Sequence, residues 1–326
     1  MKRFLYKLVI FLLIAYIPSF IYIEYFSMNF FNIEYPMWKY QKDFIHNDSG
    51  NDDPSILIMG DSRTMAGVVP TIISDEARSL CVGGSSPVET YYMLEDYLKH
   101  HKPPQAIFAS FGPFHFEKNS FFWERTIKFK LLSLWEEMEI VKTSEELNDH
   151  IIVGKGSVYK LYLKTLLYRS NFIYYYLPDL RDGKILSRRS DNLKKYAQMG
   201  ELKGFTSFGT KAYSDGSGFE LEREKFEASP LITSYMEKFL TLCQENNIRL
   251  VFETLPVNEA TYSCLKKGYA DDYINYLRVF KSKYTDLTIS DAYYPIPNSN
   301  FGDPNHLNQE GAEKYSRYLK DKFFSK

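Results

Sequence analysis

Ile56-Leu57-Ile58-Met59-Gly60-Asp61-Ser62-Arg63-Thr64 is an apolar run that ends in a glycine and passes straight into polar residues. Consecutive apolar side chains fit a strand buried on both faces, the kind found in parallel sheets. A glycine at its end permits a sharp turn, and Ser62 then stands where a helix begins. Such a turn lifts a side-chain oxygen to the carboxyl edge of a sheet and aims backbone N–H groups at it. A serine hydroxyl is a weak nucleophile at neutral pH and needs a base. The chain offers one about 240 residues later, in Asp303-Pro304-Asn305-His306. His306 falls in a loop between the last strand and the last helix. Asp303 can turn back and hold its imidazole in the tautomer that accepts a proton from serine, with Pro304 and Asn305 making the tight turn.

The sequence around these two points alternates in the same way. Pro87 opens an amphipathic helix over 87–101, with Tyr91, Leu94 and Leu98 at helical spacing, and Pro103-Pro104 stops it. Ala106 to Phe111 reads as a second buried strand. The pattern resumes with a helix from Leu231 to Asn246, a strand from Ile248 to Thr254, a helix from Tyr269 to Lys283 and a short strand at Leu287–Ser290. A last helix runs from Gln309 to Phe324 with Asn308 as its N-cap. Strand–helix–strand repeats predict an α/β fold around a parallel sheet. Residues 116–228 interrupt the rhythm with helical patterns near 125–142 and 157–176, a basic run from Arg181 to Lys195 and a Gly- and Ser-rich stretch from Gly204 to Gly218. They read as a mainly helical insertion, either a cap that shapes access to the site or a packed structural extension.

Residues 56–64 resemble the first block of the SGNH (GDSL-type) hydrolases, and Asp303-Pro304-Asn305-His306-Leu307-Asn308 through Gly311-Ala312 resembles their last block. The resemblance covers both ends of the globular part but not 116–228. It implies a three-layer α/β/α sandwich and a triad of Ser62, Asp303 and His306. Val82-Gly83-Gly84-Ser85-Ser86 is similar to the second block, which implies that the N–H of Gly84 joins that of Ser62 in an oxyanion hole. The third block departs from the family: Gly112 matches, but Phe114 stands where an asparagine usually completes the hole. His115 and Arg63 are candidates to replace it or to contact substrate.

The first thirty residues form a separate unit. Lys2, Arg3 and Lys7 precede a stretch from Leu8 to Ile23 without charge. With Phe4, Leu5 and Tyr6 it reaches roughly 20 residues, enough to cross ~30 Å of hydrocarbon. The cations set the N-terminus in the cytoplasm, and Tyr16, Tyr22 and Tyr25 suit the outer interface. The expected organisation is therefore a signal-anchor helix over 1–28, a linker or stalk over 29–53 ending in the polar run 47–54, and a catalytic domain over 54–326. A cleaved signal peptide is the rival reading, but no Ala-x-Ala pattern follows the apolar core.

With 40 basic and 41 acidic residues, the chain offers no electrostatic argument for nucleic acid. The odd count and wide spacing of Cys81, Cys243 and Cys264 do not support a disulfide framework or a metal site, so buried free thiols are expected, although a Cys243–Cys264 bond is chemically permitted outside the membrane. Glu136-Glu137 reads as a solvated helix face and His100-His101 as a helix end interacting with its dipole. No metal or cofactor is expected. The anchor together with the missing Gly-x-Asn block resembles the SGNH proteins that work beside membrane-bound O-acyltransferases, including the D-alanyl transfer and alginate acetylation types. That implies a multi-span partner and an extracytoplasmic serine acyltransferase or esterase acting on O-acyl groups of a surface glycan. The alternatives are a stand-alone carboxylesterase or deacetylase, and a non-catalytic glycan-binding or assembly subunit.

Overall fold

In the computed structural model the opening run is strand β1 (Ile56–Gly60), buried from Leu57 onward. The structure describes residues 2–47, 53–181, 185–214, 218, 220 and 223–324, without the side chains of Leu8, Val9, Leu12, Ala15, Ile185 and Leu186. Helices α1 (Lys2–Tyr25), α2 (Ser27–Phe30) and α3 (Tyr35–His46) precede β1. After it come α4 (Ser62–Gly67), α5 (Pro70–Ile73), β2 (Ala77–Ser79), α6 (Pro87–His100) and β3 (Ala106–Ser110). The insertion carries α7 (Phe114–Glu117), α8 (Leu134–Glu146), α9 (Val158–Arg169), α10 (Leu177–Arg181) and α11 (Ile185–Glu201). The chain then returns through α12 (Pro230–Glu245), β4 (Arg249–Phe252), β5 (Val257–Asn258), α13 (Glu259–Cys264), α14 (Lys267–Lys283), β6 (Thr288–Ile289), β7 (Pro295–Ile296) and α15 (Gln309–Leu319).

Five strands pair in the order β2-β1-β3-β4-β6, and every pairing is parallel. Successive side chains on a strand point to opposite faces. Leu57, Met59, Ile107 and Phe252 accordingly pack on one side with Leu94 of α6, Phe239 of α12 and Leu277 of α14. Ile58, Phe108 and Val251 pack on the other with Met65 of α4 and Ala312 and Leu319 of α15. Helices thus cover both faces, as the apolar character of the strands requires. The chain leaves β1 toward β2 on one side and returns to β3 on the other. This reversal opens a crevice at the carboxyl ends of β1 and β3, where ligands bind in open α/β sheets.

The structure corrects several expectations. Segment 29–53 is no stalk over its described part: α3 buries Met37, Trp38, Gln41 and Ile45, and Gln41 donates to Cys81 O at 3.1 Å. Residues 48–52 lie outside the described residues. β2 was not foreseen, because Ala77-Arg78-Ser79 is a short edge strand without an apolar run. The helical pattern at 125–142 is a π-helical turn, Phe122–Ile127, separated from α8 by Lys130 at φ 55°. The pattern at 157–176 breaks at Asn171, φ 53°, a residue type that tolerates the left-handed region. Glu137 is not solvated: it is fully buried against Arg169, with Nε at 2.9 Å from Oε2. All three cysteines are free, with Cys243 buried and Cys264 exposed.

α1 is one continuous helix of 24 residues with Pro18 inside it. Among the described residues no helix is long and apolar enough to cross a membrane; four side chains in the middle of α1 lie outside them.

Candidate active site

The turn after β1 is built so that Ser62 opens a helix. Gly60 has φ +144°, and a Cβ there would lie 2.0 Å from Ser110 O on β3, so only glycine lets the two strand ends close. Asp61 caps α4: its Oδ1 accepts from the N–H groups of Arg63 (2.9 Å) and Thr64 (3.1 Å). Its other oxygen accepts from Gly112 N at 2.8 Å, tying the carboxyl end of β1 to that of β3. Thr64 Oγ1 repeats the tie with a 2.7 Å bond to Ser110 O.

His306 arrives from the loop before α15. Its Nε2 is 2.9 Å from Ser62 Oγ, and its Nδ1 lies 2.9 Å from Asp303 Oδ2 and 3.0 Å from Oδ1. A carboxylate only accepts, so the imidazole proton sits on Nδ1 and the lone pair of Nε2 faces the serine. Asp303 Oδ1 also accepts from the N–H groups of Asn305 and His306 at 2.8 and 2.9 Å, the tight turn read from Pro304-Asn305. Burial pushes the Asp303 carboxyl up, but the His306 ring and these N–H groups outweigh it and hold it below its usual range.

Ser62 and His306 line a cleft of about 430 Å³ with Gly83 and Gly84. Gly84 has φ +79°, and its turn is closed by Ser85 N–H on Val82 O at 3.3 Å rather than by Gly84. Ser86 behind it caps α6 in a capping box with Glu89. The Glu89 carboxylate, fully buried, also accepts from Asn119 Nδ2 (2.7 Å) and Thr126 Oγ1 (2.6 Å), which fastens the insertion to the glycine turn.

Phe114 and His115 form another wall. His115 Nε2 lies 3.3 Å from Asp61 Oδ2, while its buried Nδ1 has no hydrogen-bond partner. Burial holds this imidazole below its usual range, against the pull of Asp61. A neutral ring with its proton toward Asp61 leaves only a buried acceptor at Nδ1, not the donor an oxyanion needs. Arg63 does not reach the cleft at all. Its guanidinium is buried, 2.6 Å from Glu220 Oε1, and donates to Asn305 Oδ1 at 2.9 Å. Burial alone would push Arg63 down, but Glu220 more than reverses this and raises it. The Arg63 side chain, a candidate for oxyanion or substrate contact, is instead a clamp holding the serine turn, the histidine loop and the insertion together.

The remaining walls were not visible in any motif. Lys118, Phe121, Arg125, Phe208 and Arg223 come from the insertion, and Glu34 from the N-terminal segment. Of the two readings of 116–228, the one in which it borders the site describes these residues. Arg125 donates to Gly83 O at 2.8 Å, pairs with Glu34 Oε2 at 3.3 Å and lies 4.0 Å over the Phe121 ring. Burial raises the Glu34 carboxyl, with Arg125 opposing. No linear pattern announces such residues, because they come from four separate stretches, at 34, 118–125, 208 and 223. His46, Asp96 and His100 are the one group of potential metal ligands among the described residues, within 4.8 Å of one another and outside the cleft lining. His100 and His101 do end a helix, with His100 Nδ1 on Asp96 O at 2.9 Å and His101 Nδ1 on Asp53 at 2.7 Å.

A family model without a functional description matches residues 219–326, which include Asp303 and His306 but not Ser62. Comparison with curated proteins finds no match.

Proposed function

We propose that the chain is a serine acyltransferase or esterase of the SGNH type, with a three-layer α/β/α catalytic domain. The observation that carries this reading is the unbroken chain of contacts from Ser62 Oγ through His306 to Asp303, each within 3.0 Å. Ser62 Oγ attacks the carbonyl carbon of an ester or thioester while its proton passes to His306 Nε2. The oxyanion is held by the N–H groups of Ser62 and Gly84. Collapse of the intermediate breaks the bond to the leaving group, which takes the proton from His306 and departs. An acceptor hydroxyl then gives its proton to His306 and attacks the acyl-enzyme carbonyl, and the bond from the acyl carbon to Ser62 Oγ breaks as Oγ takes the proton back from His306. With water as acceptor the reaction is hydrolysis; with a sugar hydroxyl it is transfer.

Two features favour transfer to a cell-surface glycan. Phe114 lines the cleft where the family resemblance expects an asparagine amide, so the hole has two backbone donors. α1 suits a signal anchor that places the domain outside the cytoplasm, beside a multi-span O-acyltransferase that delivers the acyl group. An activity-based fluorophosphonate probe tests the reading. Wild type labels and Ser62→Ala and His306→Ala do not; equal labelling of all three, or none in folded wild type, refutes it.

A further inference from the structure

We infer that the insertion carries a second membrane contact, a basic aromatic patch on α9 and the turn after it that rests in an anionic bilayer surface beside α1. The inference builds on the anchor reading of α1. From His150 to Pro178 the chain has no Asp or Glu, and it holds Lys155 and Lys160, with Lys164 over the Trp123 ring and Arg169 paired with the buried Glu137. On α9, Tyr159, Leu163 and Leu166 recur at i, i+4 and i+7, and they are 85%, 56% and 43% exposed. Phe172 and Tyr174 extend the patch at 40% and 66%. Lys160 and Lys164 flank this Tyr and Leu face while Leu161, Thr165 and Tyr168 are buried on the other, so the helix can lie at a lipid interface with its inner face packed on the protein. Tyrosine suits the headgroup level, and each Lys or Arg is attracted to anionic lipid.

The occupant is argued from what lies next to the patch. The Tyr16 hydroxyl of α1 donates to Ser170 O, one residue past α9. Asn171 Nδ2 donates to Glu24 at 2.8 Å and to Phe20 O at 3.5 Å. These contacts seat the end of α9 against the second half of α1, while Ile10, Phe11, Leu13 and Ile14 in the first half stay exposed. An apolar helix that enters a bilayer from this contact brings Phe172 and Tyr174 to the bilayer surface with it. A neutral glycan stacks on aromatic rings but makes no use of the exposed leucines and lysines, whereas an anionic lipid interface uses all three.

The test uses the full chain reconstituted in vesicles of phosphatidylcholine with phosphatidylglycerol. An environment-sensitive fluorophore is placed on Leu163→Cys, Ile10→Cys or Val279→Cys, each in a Cys264→Ser background. Val279 is 60% exposed on α14 and serves as the aqueous reference. The expected result is a blue shift and quenching by nitroxide-labelled lipid at 163 and 10, and neither at 279. Vesicles of phosphatidylcholine alone reduce the signal at 163. If 10 is quenched and 163 remains aqueous, the patch is refuted and the anchor stands. If 10 remains aqueous, the anchor itself fails. If 163 is shielded only when a multi-span protein is co-reconstituted, the surface is a protein interface and the lipid assignment is overturned.

Discussion

Replacing Glu220 by glutamine isolates the charge that the insertion contributes behind the site. Glu220 is fully buried and Arg63 nearly so, with 2.6 Å between Oε1 and the guanidinium. The glutamine amide keeps an acceptor of the same shape but leaves Arg63 a buried cation without its counter-charge. Breaking a buried pair on one side costs about 3–5 kcal/mol. The bond from Arg63 to Asn305, 2.9 Å, is untouched and places the effect toward the lower end. With an unfolding entropy of about 2.1 cal/mol/K per residue, 326 residues give ~0.7 kcal/mol/K, so the midpoint falls by about 4–7 °C. Asn305 adjoins His306, so probe labelling of Ser62 slows as well. Scanning calorimetry and timed fluorophosphonate labelling read the two effects. The double variant Arg63→Met, Glu220→Leu removes both charges and recovers most of the lost stability, though not the labelling rate. An unchanged midpoint in Glu220→Gln, or a double variant no more stable than the single one, refutes the clamp.

Three further outcomes follow from the same geometry. Gly84→Ala puts a Cβ 2.6 Å from Phe121 Cδ2 at a φ of +79°; it should slow labelling about 10²–10³-fold through displacement of one oxyanion donor, with a far-ultraviolet spectrum like that of wild type. Glu89→Gln places an amide NH2 against groups that donate to a carboxylate, so urea titration should show a loss of about 2–3 kcal/mol and trypsin should cut the insertion faster. Asp303 is held below its usual range, so its contacts stabilise the fold above the unfolded carboxylate value and are lost as pH falls through the depressed one. The melting difference between wild type and Asp303→Asn should therefore be full at pH 6 and shrink below about pH 4; a difference that grows on acidification contradicts this.

What the sequence disclosed and what it hid have physical causes. Ser62, Asp303 and His306 were legible because a strand end, a glycine and a tight turn are local patterns, and the sheet brings their distant positions together. The core strands were legible because burial on both faces makes them continuously apolar. β2 was not, because an edge strand of three residues needs no such run. α3 was hidden by its place between an apolar helix and a polar stretch, although Met37, Trp38, Gln41 and Ile45 lie on one helical face. Arg63 was misjudged because its partner, Glu220, lies in an insertion without a motif. Glu137 was misjudged because a pair of glutamates looks solvated until Arg169 is placed beside it.

On the proposed function, the folded segment between α1 and β1 changes how Ser62 meets an acyl donor. A flexible run of 25 residues would let the α/β domain roam about 25–30 Å from the end of α1. Instead α2 and α3 pack on α11 and the core, and Glu34 lines the cleft itself. Ser62 then stands at one height and one orientation relative to the end of α1. An acyl group presented at that height meets a high effective concentration of nucleophile, and one presented elsewhere meets almost none. With α1 as the proposed anchor, selectivity for a donor follows from altitude above it, with no specific contact to the donor's body.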